Sequence, residues 1–126
     1  MNKKLAIIIL TYNSEKIIKE TITQAKKISK NIIIVDSYST DKTIKIVNKL
    51  KCKVLRRKFI NYSDQRNFII KKCNNIYEWQ LHLDSDEILS EKLIKNIKII
   101  LKNDIKNRAY IVRRQIYFLN KKLLFG

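Results

Sequence analysis

Short apolar runs alternate along this chain with longer segments in which apolar residues recur every three or four positions. Ala6 to Leu10 is an unbroken, β-rich apolar run, the pattern of a strand covered on both faces within a parallel sheet. Asn13 or Ser14 is placed to cap a helix whose apolar stripe is Ile17, Ile18, Ile22, Ala25 and Ile28. Ile32 to Val35 repeats the strand pattern, and Thr40 or Asp41 then opens a helix carrying Ile44, Val47 and Leu50. Lys53 to Arg56 reads as a short strand, and Ser63 to Lys72 as a helix with Phe68 and Ile69 turned inward. Trp79, Leu81 and Leu83 alternate with Gln80 and His82, a period of two that predicts a strand. Ser90 caps a helix with Leu93, Ile94, Ile97, Ile100 and Leu101, and Ala109 to Leu119 reads as a last strand. Such alternation predicts an α/β fold with right-handed crossovers and a mostly parallel sheet flanked by helices. No Pro/Gly linker or internal repeat divides it, so residues 1–126 read as one domain. In such sheets ligand-binding residues gather beyond the carboxyl ends of the strands.

Composition adds bounds to this picture. A chain of 126 residues with 45% apolar and 31% charged residues can bury one core. Its net charge of +17 raises a nucleic-acid reading, since basic surfaces condense onto phosphate polymers. However, Ile, Lys and Asn supply 58 of the 126 residues, a skew that follows AT-rich coding, and the lysines form no stripe interleaved with aromatics. The expectation is general attraction to anionic partners, such as a diphosphate or the inner membrane face, and no specific nucleic acid. Cys52 and Cys73 have no CxxC spacing and read as the reduced thiols of a cytoplasmic protein. The start, MNKKLAIIIL, imitates a leader peptide. Its apolar run from Leu5 to Leu10 is shorter than the roughly 7–15 residues a leader needs, so it reads as a strand.

The acidic residues change the picture more. Of only 11, five stand directly after strands: Asp36 and Asp41, then Asp84, Asp86 and Glu87. Helix capping explains Asp41 or Glu87 taken singly, but not Asp84-Ser85-Asp86 coming straight off a buried strand. Carboxylates at i and i+2 repel unless a cation or a donor lies between them, and hard oxygen ligands suit Mg²⁺ or Mn²⁺.

The segments AIIILTYNSE, IIIVDSYSTDKT, SDQRNF and WQLHLDSDEILS, in this order, resemble the successive motifs of family-2 glycosyltransferases of the GT-A (Rossmann-like) fold. They are most similar to the lipopolysaccharide-core glucosyltransferase-like subgroup. The later AYIVRRQIYFLNKKLLFG is similar to the segment just past that family's donor site. The resemblance implies an inverting transfer of sugar from a nucleotide-diphosphate sugar, UDP-sugar favoured, to a glycan or lipid-linked acceptor. It would serve cell-envelope polysaccharide or lipopolysaccharide synthesis, in the cytoplasm or peripherally on the inner face of the cytoplasmic membrane. The chain would be the donor half, with the acceptor part missing and the general base beyond residue 126. Alone it would transfer sugar slowly or not at all.

By the same resemblance Thr11, Tyr12, Asn13 and Glu15 would line the nucleobase pocket, with Tyr12 able to stack. Asp36 would bond base or ribose, with loop capping as its alternative. Arg66, with Asn67 beside it, would face the nucleotide or its phosphates, the alternative being an exposed helix arginine. Asp84 would hold ribose or a metal-bound water, and Asp86 would ligate Mn²⁺ or Mg²⁺ directly. Ser39, Asp41 and Thr43 would build the turn and helix cap. His82 is assigned no catalysis, and Glu87, beside the metal motif, is a poor base. Departures from the family pattern are Tyr38 and Lys42, where it has glycines, and Glu91, where it often has proline. Tyr38 must avoid a positive φ or tolerate strain there.

Other readings meet specific obstacles. A nicotinamide dehydrogenase needs a Gly-rich first turn, and no glycine precedes Gly126. A haloacid-dehalogenase-type phosphotransferase needs D-x-D-x-T, which neither acidic stretch supplies. A basic nucleic-acid-binding protein leaves the acidic cluster unexplained. A remnant that only binds nucleotide-sugar or scaffolds a partner remains the alternative to an active enzyme.

Overall fold

The computed structural model describes residues 4–103, 117–118 and 121–122. In chain order these form β1 (Leu5–Thr11), α1 (Ile18–Ala25), β2 (Ile32–Asp36), α2 (Thr43–Lys49), β3 (Lys53–Arg56), α3 (Tyr62–Cys73), β4 (Trp79–Asp84), α4 (Glu91–Asn103), β5 (Tyr117–Phe118) and β6 (Lys121–Lys122). The first four strands make one parallel sheet in the order β3-β2-β1-β4. All seven residues of β1 and all five of β2 are buried, as continuous apolar runs flanked by helices on both faces require. Of the expected last strand, Tyr117–Phe118 pairs antiparallel with Lys121–Lys122 in a separate ladder, and residues 109–116 and 119 lie outside the described residues.

The side-chain period of two divides the core between the two faces of the sheet. Leu5, Ile7, Ile9, Ile32, Ile34 and Leu83 pack with Ile18 and Ile22 of α1, Val47 of α2 and Ile94 of α4. On the other face Ala6, Ile8, Leu10, Ile33 and Val35 pack with Ile69 and Cys73 of α3. Among the described residues no helix is long and apolar enough to cross a membrane.

Helix starts are where the expected boundaries shift. α1 begins at Ile18 and has no side-chain cap, because Asn13 and Ser14 are spent on a loop ahead of it. α2 begins at Thr43, although Asp41 Oδ1 does accept from the Thr43 N–H (2.9 Å) and hydroxyl (2.6 Å). α3 starts at Tyr62 behind Asn61, whose side chain accepts from the Asp64 N–H at 2.8 Å. Ser90 caps α4 as expected, its Oγ accepting from the Leu93 N–H at 3.1 Å.

Candidate functional site

Register brings the expected residues to one sheet edge. Thr11 pairs with Asp36 and Leu10 with Asp84, so the carboxyl ends of β1, β2 and β4 stand side by side. Strand order reverses at β1, with β2 on one side and β4 on the other, and crevices for ligands open at such a switch point. A cleft of about 510 Å³ opens there, lined by Thr11, Tyr12, Gln65, Asp84 and Asp86, with Phe59 and Tyr62 among its other walls. Tyr12 is 60% exposed at this mouth.

The loops after β1 and β2 brace each other. Asn13 Oδ1 accepts from the N–H groups of Thr40 (2.8 Å) and Asp41 (3.3 Å), and the Asn13 N–H donates to Ser39 Oγ at 2.9 Å. Glu15 Oε2 accepts from the Lys42 N–H at 3.1 Å, while its own N–H donates to Asp41 Oδ2 at 3.2 Å. Burial raises the Asp41 pKa, but the bonds from Thr43 and the Glu15 backbone outweigh it and hold the carboxyl below its ordinary value. Asn13 and Glu15 therefore reach across to the neighbouring loop and do not line the cleft.

Asp36 sits beneath this brace with no exposed surface. Its Oδ1 accepts from the hydroxyls of Thr11 and Ser39, both at 2.6 Å, and its Oδ2 from the Ser39 N–H at 2.8 Å. Arg56 Nε lies 3.6 Å from Oδ2. The bonds to Ser39, three residues on, have the geometry of a loop cap. Tyr38, in the position where glycine was expected, does take a left-handed φ of 59°, at a cost on the order of 1–2 kcal/mol. Its ring lies 5.3 Å from the Arg56 guanidinium, a cation–π contact that offsets part of this. Lys42 has an ordinary φ of −83° and needs no glycine. Glu91 is the first residue of α4, where proline is tolerated and an acid is favoured equally by the helix dipole.

The acidic turn is held from three sides. Thr21 of α1 donates to the Ser85 carbonyl at 2.6 Å, and Glu87 Oε1 accepts from the Asp84 N–H at 2.7 Å. Glu87 is thereby a brace of the turn. Arg66 of α3 donates to Asp84 Oδ1 at 2.9 Å, with its other arm 3.2 Å from His82 Nδ1. Burial and then the Arg66 charge push the His82 pKa down to about 4, so the ring is neutral at pH 7. Asn67 is an exposed residue of α3. Among the described residues no group of three or more His, Cys, Asp or Glu side chains could hold a metal by itself. Among the described residues that line the cleft, Asp84 and Asp86 carry the carboxylates.

Sequence reasoning missed the cleft's other wall. Gln65 is 1% exposed, donating to Ser37 Oγ (3.2 Å) and accepting from Arg57 Nη1 (3.0 Å). Phe59 and Tyr62, in edge-to-face contact at 5.1 Å, stand beside it. The SDQRNF motif contained the signal for Gln65, a polar residue one position before Arg66, but the two aromatics carry none.

A family model described as Glycosyl transferase family 2 matches residues 6–121. An uncharacterized glycosyltransferase of Rickettsia bellii is 34% identical over 122 residues, 95% of this chain and 41% of the relative. The poly(ribitol-phosphate) beta-N-acetylglucosaminyltransferase TarS of Staphylococcus aureus is 33% identical over 104 residues, 74% of this chain and 18% of that protein. The chain thus spans about two-fifths of the Rickettsia relative's length. A crystal structure of TarS residues 1–349 superposes with a TM-score of 0.65 at 28% identity, covering 79% of this chain and 32% of that one. The same segment in complex with UDP gives 0.63. The described sheet and helices are those of the GT-A fold. Because the family match runs from β1 to β6, this chain belongs to glycosyl transferase family 2.

Proposed function

We propose that the chain binds the donor of an inverting glycosyltransferase that moves sugar from a UDP-sugar to a glycan or lipid-linked acceptor of the cell envelope. The motif resemblance favours lipopolysaccharide core as acceptor. The observation that carries the donor reading is the cleft at the β1–β4 switch point, with an exposed Tyr12 ring on one side and Asp84 and Asp86 on the other. Tyr12 stacks on the base, the Asp84 carboxylate accepts from ribose, and Arg66 holds positive charge beside the diphosphate. The UDP complex of TarS supports the choice of nucleotide.

Two carboxylates are too few to hold a bare ion. They suit Mg²⁺ or Mn²⁺, which keep waters and complete their shells with phosphate oxygens. Asp86 would hold that ion with Asp84 behind it. When bound, it supplies positive charge against the departing nucleoside diphosphate. The acceptor's base is assigned to no described residue, so donor binding is the activity to measure. A cytoplasmic location, peripheral on the inner membrane face, belongs to the same proposal and is supported by the net charge of +17.

Calorimetric titration of UDP with and without Mn²⁺ tests this. Binding should tighten with metal, and Asp86→Ala should abolish the difference. Equal affinity in both conditions removes the metal role, and no affinity in either overturns the donor reading.

A further inference from the structure

Gln80, His82 and Asp84 share the face of β4 that looks toward α3, because strand side chains alternate. A directed chain of hydrogen bonds runs along that face, and its direction follows from one end. The Ile70 carbonyl can only accept, so the amide nitrogen of Gln80 donates to it at 3.3 Å. That orientation turns Gln80 Oε1 toward the imidazole, whose Nε2–H donates to it across 2.9 Å. His82 Nδ1 is then the acceptor facing Arg66 Nη1 at 3.2 Å, while Arg66 Nη2 donates to Asp84 Oδ1 at 2.9 Å. Both arms of the guanidinium are spoken for.

We propose that His82 is a positioning residue: anchored through Gln80 to α3, it orients Arg66, which stands behind the cleft lining, against the cleft residue Asp84 before nucleotide arrives. This rests on the donor reading, since it is a nucleotide's phosphates that the oriented charge would meet. An arginine side chain has among the largest rotamer freedoms of any residue, and ordering it during binding weakens affinity. The imidazole removes that freedom in advance. It touches no ligand itself. The chain segment that supplies it, the strand leading into the acidic turn, also supplies Asp84, so one strand sets both the carboxylate and the cation opposite it.

The test is a double-mutant cycle read by UDP titration and by thermal melting. His82→Leu should weaken UDP binding roughly threefold to tenfold, the cost of ordering one freed arginine side chain during binding, with little change in melting temperature. His82→Asn places an oxygen near the position of Nδ1 and should restore affinity to within about twofold of the parent. His82→Gln reaches Gln80 but leaves Arg66 without its acceptor, and should behave as His82→Leu; it also stands in should the leucine variant not fold. In an Arg66→Ala background, substitution of His82 should cost nothing further. Parent-like affinity in both His82→Leu and His82→Gln overturns the proposal. So does full additivity with Arg66→Ala, or a loss of affinity and stability together that His82→Asn does not rescue. A parent protein with no affinity for UDP overturns the donor reading, and this proposal with it.

Discussion

Replacing Asp36 with alanine separates a residue that builds the loop from one that touches the ligand. The substitution strips the acceptor from three donors at once: the Thr11 hydroxyl, the Ser39 hydroxyl and the Ser39 N–H. Thr11 and Ser39 are 3% and 8% exposed, so these donors cannot simply turn to water. Each buried donor left unsatisfied costs about 1–3 kcal/mol. Arg56, with a side chain 43% exposed, returns to solvent and adds little. Partial relaxation of the loop reduces the sum over the three donors, so the expected loss is about 3–5 kcal/mol. Against a typical total of about 5–15 kcal/mol, that lowers the melting temperature by roughly 10–20 °C. Asp36→Asn keeps the shape but turns an N–H₂ toward donors, and should cost about 1–3 kcal/mol. Urea unfolding followed by circular dichroism and by the fluorescence of Trp79, the sole tryptophan, measures the loss. UDP is then titrated onto the fraction that remains folded. If Asp36→Ala shifted stability by less than about 1 kcal/mol yet abolished UDP binding, the reasoning would be refuted, and the carboxylate would have to leave its buried position to meet base or ribose.

Two further outcomes are expected. His82 is neutral in both folded and unfolded chains above its ordinary pKa of 6.5, so its contribution is fully present there; as pH falls from 6.5 towards about 4 only the unfolded chain takes the proton, and stability drops. The shift alone sets a ceiling of about 3 kcal/mol, which partial exposure of the ring reduces to about 1–2 kcal/mol; urea midpoints across this pH window should fall less steeply for His82→Leu, and parallel slopes would defeat the assignment. Binding to nucleic acid should be non-specific and should weaken steeply with salt, because the charge of +17 is not arranged as a reading element; a sequence preference that persists at high salt, measured by fluorescence anisotropy, would contradict this.

The four strands of the parallel sheet and their order of appearance could be read from the sequence alone. Runs such as Ala6–Leu10 and Ile32–Val35 are apolar at every position, short and rich in β-branched residues, which marks strands covered on both faces. The helical stripe from Ile18 to Ala25 was equally plain, because a period of 3.6 leaves a mark on composition. Asp84 and Asp86 stood out for the same local reason, acids leaving an apolar strand in a basic chain. What the tertiary structure decided was how each polar side chain is used. Asn13 and Glu15 follow a strand as surely as Asp86 does, yet they bond the neighbouring loop, because β1 and β2 are adjacent and their loops meet, while Asp36 bonds Ser39 of its own loop and Thr11 of β1. The assignment of His82 to Arg66, and of Gln65, Phe59 and Tyr62 to the cleft wall, depends on α3 lying across the face of the sheet. A sequence records which residues are polar and at what spacing; it does not record their partners 16 or 25 positions away along the chain. Those partners are fixed only when the apolar core brings the elements together.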